Sequence, residues 1–341
     1  MARISVPSPV SLGVFLSYKC TSRCRYCMYC CAPDWSADWI SEADLTSILE
    51  QVSGRIKPSP YGAERVGLNY GLHFTGGEPF MNFDLLLRSV DIASQLRIPS
   101  TFVETNCFWC TSDADTRDRL ELLKDKGLRG ILASVNPFYL EYVPFERTER
   151  AIRLSRQVFG PNVMVYQAEY YSQFRQLGIR GTLTLDQYLQ MVNLEEMRRS
   201  VELFLTGRAA YALESFYPHH PADHFTTGRC QPPFLREWHN HVDNYGNYVP
   251  GYCGGISLGD ARNLDLLCTD GIDAESHPVL TFLADEDMAG LLAFATNEYA
   301  YKERPEGYVS RCHLCVDVRR HLAEEGFEEL RPKEFYRHLE Y

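Results

Sequence analysis

Short apolar runs alternate with longer amphipathic stretches from about residue 12 to 206. Gly13 to Tyr18 reads as a buried strand that runs straight into a group of cysteines. Ser41-Glu42-Ala43-Asp44 marks a helix start, with Ser41 at the cap, and the helix runs to about Val52. The same alternation predicts strands over Leu68–Thr75, Ser100–Asn106, Gly130–Val135, Asn162–Ala168 and Ser200–Leu205. Helices are predicted over Phe83–Leu96, Asp115–Lys126, Glu146–Phe159 and Leu185–Met191. Repeated strand-helix pairs with short links imply an α/β fold, a parallel sheet with helices outside it. Parallel crossovers are right-handed, so six units would curl into an open or closed barrel.

The pattern changes after Gly207-Arg208-Ala209. Pro218, Pro221, Pro232 and Pro233 interrupt residues 215–240, and Val242 to Val249 alternates across Asn244-Tyr245-Gly246-Asn247, a hairpin signal. Helical patterns follow at about 277–300 and 314–325. A boundary near 210–225 divides the chain into residues 1–210 and a small α+β domain over 211–341.

With 341 residues and 45% hydrophobic content, a sizeable core is expected. A net charge of -11 argues against general nucleic-acid binding, which needs a basic face. No apolar run is long enough to span a bilayer, and Met1 to Leu16 lacks the features of a secretory signal. The expected location is therefore the cytoplasm, where the twelve cysteines would be metal ligands or free thiols rather than disulfides.

Three of them, Cys20, Cys24 and Cys27, are spaced by three residues and then two. Three thiolates on one loop can hold three irons of a four-iron, four-sulfur cluster and leave the fourth iron open to a ligand. Zinc or a disulfide is the alternative on this loop, because Cys30 and Cys31 follow closely. The other unusual residues also fall at predicted carboxyl ends of strands, where barrel active sites form. Thr75-Gly76-Gly77-Glu78-Pro79 follows the second strand, Glu104-Thr105-Asn106 ends the third, and Ser134-Val135-Asn136 the fourth. Glu169 follows the fifth and Gly207-Arg208 the sixth.

Together these residues make the chain, over roughly residues 12–208, resemble the radical S-adenosylmethionine (radical SAM) superfamily. Cys20, Cys24 and Cys27 match its cluster motif, with an aromatic residue, Tyr26, before the last cysteine. The resemblance implies a partial (β/α)6 TIM-type barrel. It implies that Gly76, Gly77 and Glu78 receive the amino group of S-adenosylmethionine, and that Glu104, Asn106 and Ser134 hold its ribose and carboxylate. Arg208 could fork onto that carboxylate. The implied reaction is reductive cleavage of S-adenosylmethionine to a 5′-deoxyadenosyl radical that abstracts hydrogen from a peptide side chain or a small molecule. A one-electron donor such as flavodoxin or ferredoxin would supply the electron. Cys30, Cys107 and Cys110 are possible hydrogen donors, against a plainer reading as packed thiols. Glu169, Tyr170, Tyr171 and Arg175 could line a substrate pocket. Only about 12 residues precede the first strand, so no leader-peptide module is expected there, and no cobalamin-binding domain is evident.

Asp243 to Cys253 and Ser257-Leu258-Gly259-Asp260 resemble the SPASM and twitch auxiliary-cluster domains. That resemblance implies one auxiliary cluster on Cys230, Cys253, Cys312 and Cys315, with Cys268 as the substitute for Cys230. Structural zinc on the same four residues is an alternative, since soft thiolates suit both metals. A non-catalytic iron-sulfur electron carrier is the competing function, but it leaves Gly76-Gly77-Glu78 without a reason. His239-Asn240-His241, His219-His220 and His224 have no well-spaced acidic partner and read as surface or packing residues.

Overall fold

A computed structural model describes residues 2–36, 38–200 and 203–340. Five short strands, β1 (Ser11–Phe15), β2 (Gly71–Thr75), β3 (Phe102–Thr105), β4 (Gly130–Ser134) and β5 (Val163–Tyr166), pair in parallel in chain order. Most of their residues are buried, as expected of a parallel sheet covered by helices. The crossovers are made by α1 (Glu42–Ser53), α2 (Phe83–Gln95), α3 (Asp113–Asp125) and α4 (Phe145–Phe159). Each of the first three starts on a polar cap. Ser41 Oγ accepts from Asp44 N, Asn82 Oδ1 from Leu85 N, and Ser112 Oγ from Asp115 N. Leu45, Ile48, Leu49 and Val52 form the buried stripe of α1, at the spacing of one helix face.

The sixth strand does not form where the sequence predicts it. Ser200 ends a helix that begins at Leu194, and residues 203–205 carry no strand; residues 201 and 202 lie outside the described residues. Asn193 Oδ1 accepts from Glu196 N, and Glu195 and Glu196 occupy the first turn, which commits the segment to a helix. The sheet is extended at its opposite edge. β6 (Asn240–Val242) pairs in parallel with β1, and β7 (Tyr248–Val249) returns antiparallel to β6. The strand order is β5-β4-β3-β2-β1-β6-β7, a mixed seven-stranded sheet with no closing pair among the described residues.

The β6-β7 hairpin is held by Asp243. Its Oδ1 accepts from the backbone N–H of Tyr245 and Asn247, and its Oδ2 accepts from Asn247 Nδ2 and from Tyr18 Oη. Tyr18 belongs to the segment that leads from β1 into the cysteine loop, so the hairpin turn and that loop share one buried polar contact. Segment 168–176 is helical, and its Tyr170 packs against Phe174 and Tyr188. No helix among the described residues is long and apolar enough to cross a membrane.

Candidate functional site

The cysteine loop leaves the carboxyl end of β1 and is closed at its base. Cys20 N donates to Ala32 O (3.2 Å) and Ala32 N to Tyr18 O (3.3 Å). Two glycines let the neighbouring loop reach it. A Cβ on Gly77 would lie 1.8 Å from Lys19 O, and one on Gly76, where φ is +108°, would lie 2.5 Å from Ser17 O. Gly77 N and Glu78 N donate to Ser17 O and Lys19 O, at 2.8 and 3.0 Å. The Gly-Gly pair is thus required by the contact between two loops, whatever else binds there.

Glu78 turns its carboxylate inward. It accepts from Thr105 Oγ1 (2.9 Å), Asn106 N (2.7 Å) and Phe80 N (3.2 Å), and it does not line the cavity described below. Burial pushes this carboxyl up to about 7, against the three hydrogen bonds that favour its ionised form. Asn106 continues the chain of contacts: its Nδ2 lies 3.0 Å from Thr21 Oγ1 and 3.8 Å from Cys20 Sγ. The ends of β2 and β3 are locked to each other and to the cysteine loop through Glu78 and Asn106.

Arg208 corrects the sequence reading. Its side chain is fully buried, and every donor is spent on the chain itself. Nε donates to His338 O (3.0 Å), Nη1 to Cys24 O (2.9 Å) and Cys31 O (3.1 Å), and Nη2 to Cys30 O (2.7 Å) and Cys31 O (3.1 Å). No donor is left for a ligand carboxylate. Gly207, at φ +56°, brings this segment against the loop, where a Cβ would lie 2.2 Å from Met28 O. Arg208 is the clamp of the cysteine loop and a buried positive charge beside its sulfurs.

The three thiols feel one another. Burial pushes Cys20 up to about 12 and Cys24 well above its ordinary value, with the neighbouring cysteines adding to both. Cys27 moves the other way: hydrogen bonding with Cys31, whose N–H lies 3.2 Å from Cys27 Sγ, lowers it, and the Arg208 charge adds to that. Of the three, only Cys27 reaches the wall of a cavity at the carboxyl ends of the strands. That wall also holds Tyr26, Gly76, Gly77, Glu104, Asn106 and Ser134 from the predicted set. Glu104 accepts from Thr75 Oγ1 at 2.8 Å, and burial raises its carboxyl.

Several wall residues escaped the sequence reading. Tyr139 is one; burial raises its hydroxyl, and the charges of Cys24, Cys27 and Cys20 raise it further. Asn136 caps the short helix Pro137–Leu140 and thereby turns Tyr139 to the cavity. The Asn136-Pro137 dipeptide, one residue beyond β4, was the available signal. Tyr166 at the end of β5, and His239 and His241, also lie on the wall, with Met28, Tyr29, Phe204 and Tyr252.

Cys30, Cys107 and Cys110 are not on this wall. Cys30 is fully buried with its carbonyl on Arg208. Cys107 sits at φ +69°, where the chain turns inward after Asn106, and its thiol points back at Thr105 O (3.8 Å). Cys110 is buried behind Trp109, whose ring stacks on Phe80 at 3.9 Å. All three are buried thiols packed away from this cavity. Glu169, Tyr170, Tyr171 and Arg175 likewise lie away from the cavity, on the helix after β5.

The remaining cysteines gather elsewhere. Cys230, Cys253, Cys312 and Cys315 line one small, largely apolar cavity with Ile256, Phe282 and Arg319. Cys312 and Cys315 occupy the first turns of α5 (Arg311–Glu324), which Ser310 caps through His313 N. Burial raises the Cys253 thiol to about 12, with Cys315 and Cys230 raising it further against the Arg319 charge. Cys268 stands apart, with Sγ 4.0 Å from Pro7 O. Among the described residues, neither cysteine set brings three sulfurs within 4.8 Å of one another.

No family model matches the chain. No curated protein matches it either. Solved structures align with it at low identity. BtrN in complex with AdoMet and 2-DOIA aligns at 13% identity over 84% of this chain and 91% of that one, with a TM-score of 0.43. anSMEcpe with bound AdoMet aligns at 13% identity over 93% and 98%, also at 0.43. Streptococcus suis SuiB bound to S-adenosylmethionine aligns at 15% identity over 80% and 68%, at 0.45. At these scores the likenesses fix neither family nor activity.

Proposed function

We propose that the chain is a radical SAM enzyme, with a four-iron, four-sulfur cluster on Cys20, Cys24 and Cys27 and S-adenosylmethionine in the adjoining cavity. The observation that carries this reading is the loop itself: three sulfurs on one clamped loop, of which only Cys27 reaches a cavity walled by strand-end polar groups. The donor set fits the group. One zinc ion, about 2.3 Å from each thiolate, would hold its sulfurs roughly 3.8 Å apart. Among the described residues no three sulfurs of this loop lie that close, and three thiolates on one loop can each take one iron of a four-iron cluster. When bound, the cluster and S-adenosylmethionine supply the electron and the 5′-deoxyadenosyl radical for hydrogen abstraction.

The chain's own residues do the rest. Arg208 holds the loop carbonyls in place and sets a positive charge beside the thiolates. Glu78 and Asn106 fix the ends of β2 and β3 to the loop, so that Gly76, Gly77, Glu104 and Ser134 present backbone and polar side chains to the ligand. Tyr26, Tyr139 and Tyr166 give the cavity an aromatic wall that excludes water from a radical. Cys230, Cys253, Cys312 and Cys315 would hold an auxiliary cluster in a second domain from about residue 211. The substrate is a peptide side chain or a small molecule, the electron donor a flavodoxin or ferredoxin, and the setting cytoplasmic. The test is 5′-deoxyadenosine formation by the anaerobically reconstituted, reduced protein. Formation that Cys24→Ala abolishes supports the reading; none from a wild type with intact clusters refutes it.

A further inference from the structure

His239 and His241 are not surface residues. His241 lies within β6 and His239 immediately precedes it, at φ +54°, which turns its ring to within 5.1 Å of that of His241. There they meet His73 of β2, and all three are buried. The register explains the meeting. Gly13 of β1 pairs with His73 on one side and His241 on the other. A Cβ at Gly13 would lie 2.4 Å from His73 Nε2 and 2.8 Å from His241 Nε2, so the missing side chain is the space in which the two rings converge. Ring centroids are 5.1–5.3 Å apart for all three pairs.

The outer nitrogens are already committed. His239 Nδ1 lies 2.9 Å from Leu68 O, and His241 Nδ1 lies 3.0 Å from Gly251 O. A carbonyl can only accept, so the contact to Leu68 O puts the His239 proton on Nδ1 and leaves its Nε2 a lone pair; His241 Nδ1 also lies 3.0 Å from Tyr29 Oη, which itself donates to Gly251 O. His73 is buried and, among the described residues, has no hydrogen-bond partner on either nitrogen. One ligand atom from each ring lies within 4.8 Å of those from the other two. Burial lowers all three imidazoles, His73 to about 3 and His239 to about 4, so they are neutral bases near pH 7. Three neutral imidazoles gathered this closely each offer a lone pair that one shared cation can accept. A backbone carbonyl on the far nitrogen is also the support that metal-binding histidines use. Glu104 Oε1 lies 3.6 Å from His73 Nε2, which adds a negative charge beside the group.

We propose that His73, His239 and His241 bind one divalent first-row transition-metal ion, with Glu104 beside it and an open position toward the cavity. Imidazole donors without thiolate suit such ions, and three protein ligands with a free position is the arrangement of a reactive site rather than a structural one. His239, His241 and Glu104 share a wall with Cys27 and Gly76, so the open position faces the cavity in which the radical chemistry is placed. An oxygen or nitrogen of the substrate would fill it. The site stands on its own donors and does not depend on the assignment of Cys20, Cys24 and Cys27.

The experiment uses zinc on the full-length, anaerobically reconstituted protein, desalted after incubation with a small excess of the ion. Zinc displaces ferrous iron from such donors, and its absorption edge is separate from that of the clusters. The expected result is about one zinc per chain, with only nitrogen and oxygen neighbours at about 2.0–2.1 Å. His73→Phe keeps the ring against Phe102, with which His73 stacks at 5.0 Å. That variant should keep the wild-type iron content and lose the zinc. His239→Gln, whose amide can still donate to Leu68 O, should do the same. Less than about a fifth of an equivalent of zinc in the wild type, a sulfur shell near 2.3 Å, or a nitrogen shell that survives both substitutions would overturn the proposal.

Discussion

Replacing Arg208 with methionine removes five hydrogen bonds from one buried guanidinium. Four carbonyls, those of Cys24, Cys30, Cys31 and His338, lose a donor inside the fold. Cys24 O keeps a bond from Cys27 N, so three acceptors are left unsatisfied; at about 1 kcal/mol each at the low end, Arg208→Met should destabilise the chain by on the order of 3 kcal/mol. The three sulfurs sit on the same loop, so iron retention should fall with stability. Arg208→Lys keeps the charge but offers three donors on a flexible stem, and it should lie between the two. Urea unfolding and iron content of the reconstituted protein measure both effects, with Arg88→Met, at an exposed ion pair, as a control that moves neither by much. An Arg208→Met protein within about 1 kcal/mol of wild type, with full iron but weakened S-adenosylmethionine binding, would refute the clamp. It would return the residue to the ligand.

Other consequences follow from the same contacts. Gly77→Ala should lose about 2 kcal/mol or more and shed iron, because its Cβ meets Lys19 O; circular dichroism melts and iron analysis check this. Burial raises the Glu78 carboxyl to about 7 from an ordinary 4.5, so between those values the folded chain holds a proton that the unfolded chain has lost. Stability therefore falls as pH rises through that window, and Glu78→Gln should flatten this part of the urea-midpoint profile. Cys312→Ser with Cys315→Ser should lower iron from about eight to about four per chain; unchanged iron would exclude an auxiliary cluster there.

Much of the frame was legible because it is local. Apolar spacing located the first five strands, and Ser41 announced α1 through a hydrogen bond to a residue three positions on. The cysteine spacing and the strand-end polar groups were equally visible, since each lies within a few residues of a strand end. What escaped depends on distant partners. The apolar run near residue 203 resembles a strand, but β6, more than thirty residues later, takes the place beside β1. Arg208 looked free because the carbonyls it satisfies belong to a loop almost two hundred residues earlier. The histidines looked incidental for the same reason. Only the register of β2, β1 and β6 brings His73 and His241 together, and only a glycine between them leaves room.

The central claim is tested most directly by one anaerobic assay, in which reduced, reconstituted protein is mixed with S-adenosylmethionine and 5′-deoxyadenosine is quantified. The account predicts 5′-deoxyadenosine from the wild type and none from Cys24→Ala. A wild type with intact clusters that forms none, or a Cys24→Ala variant that forms as much as wild type, would contradict it.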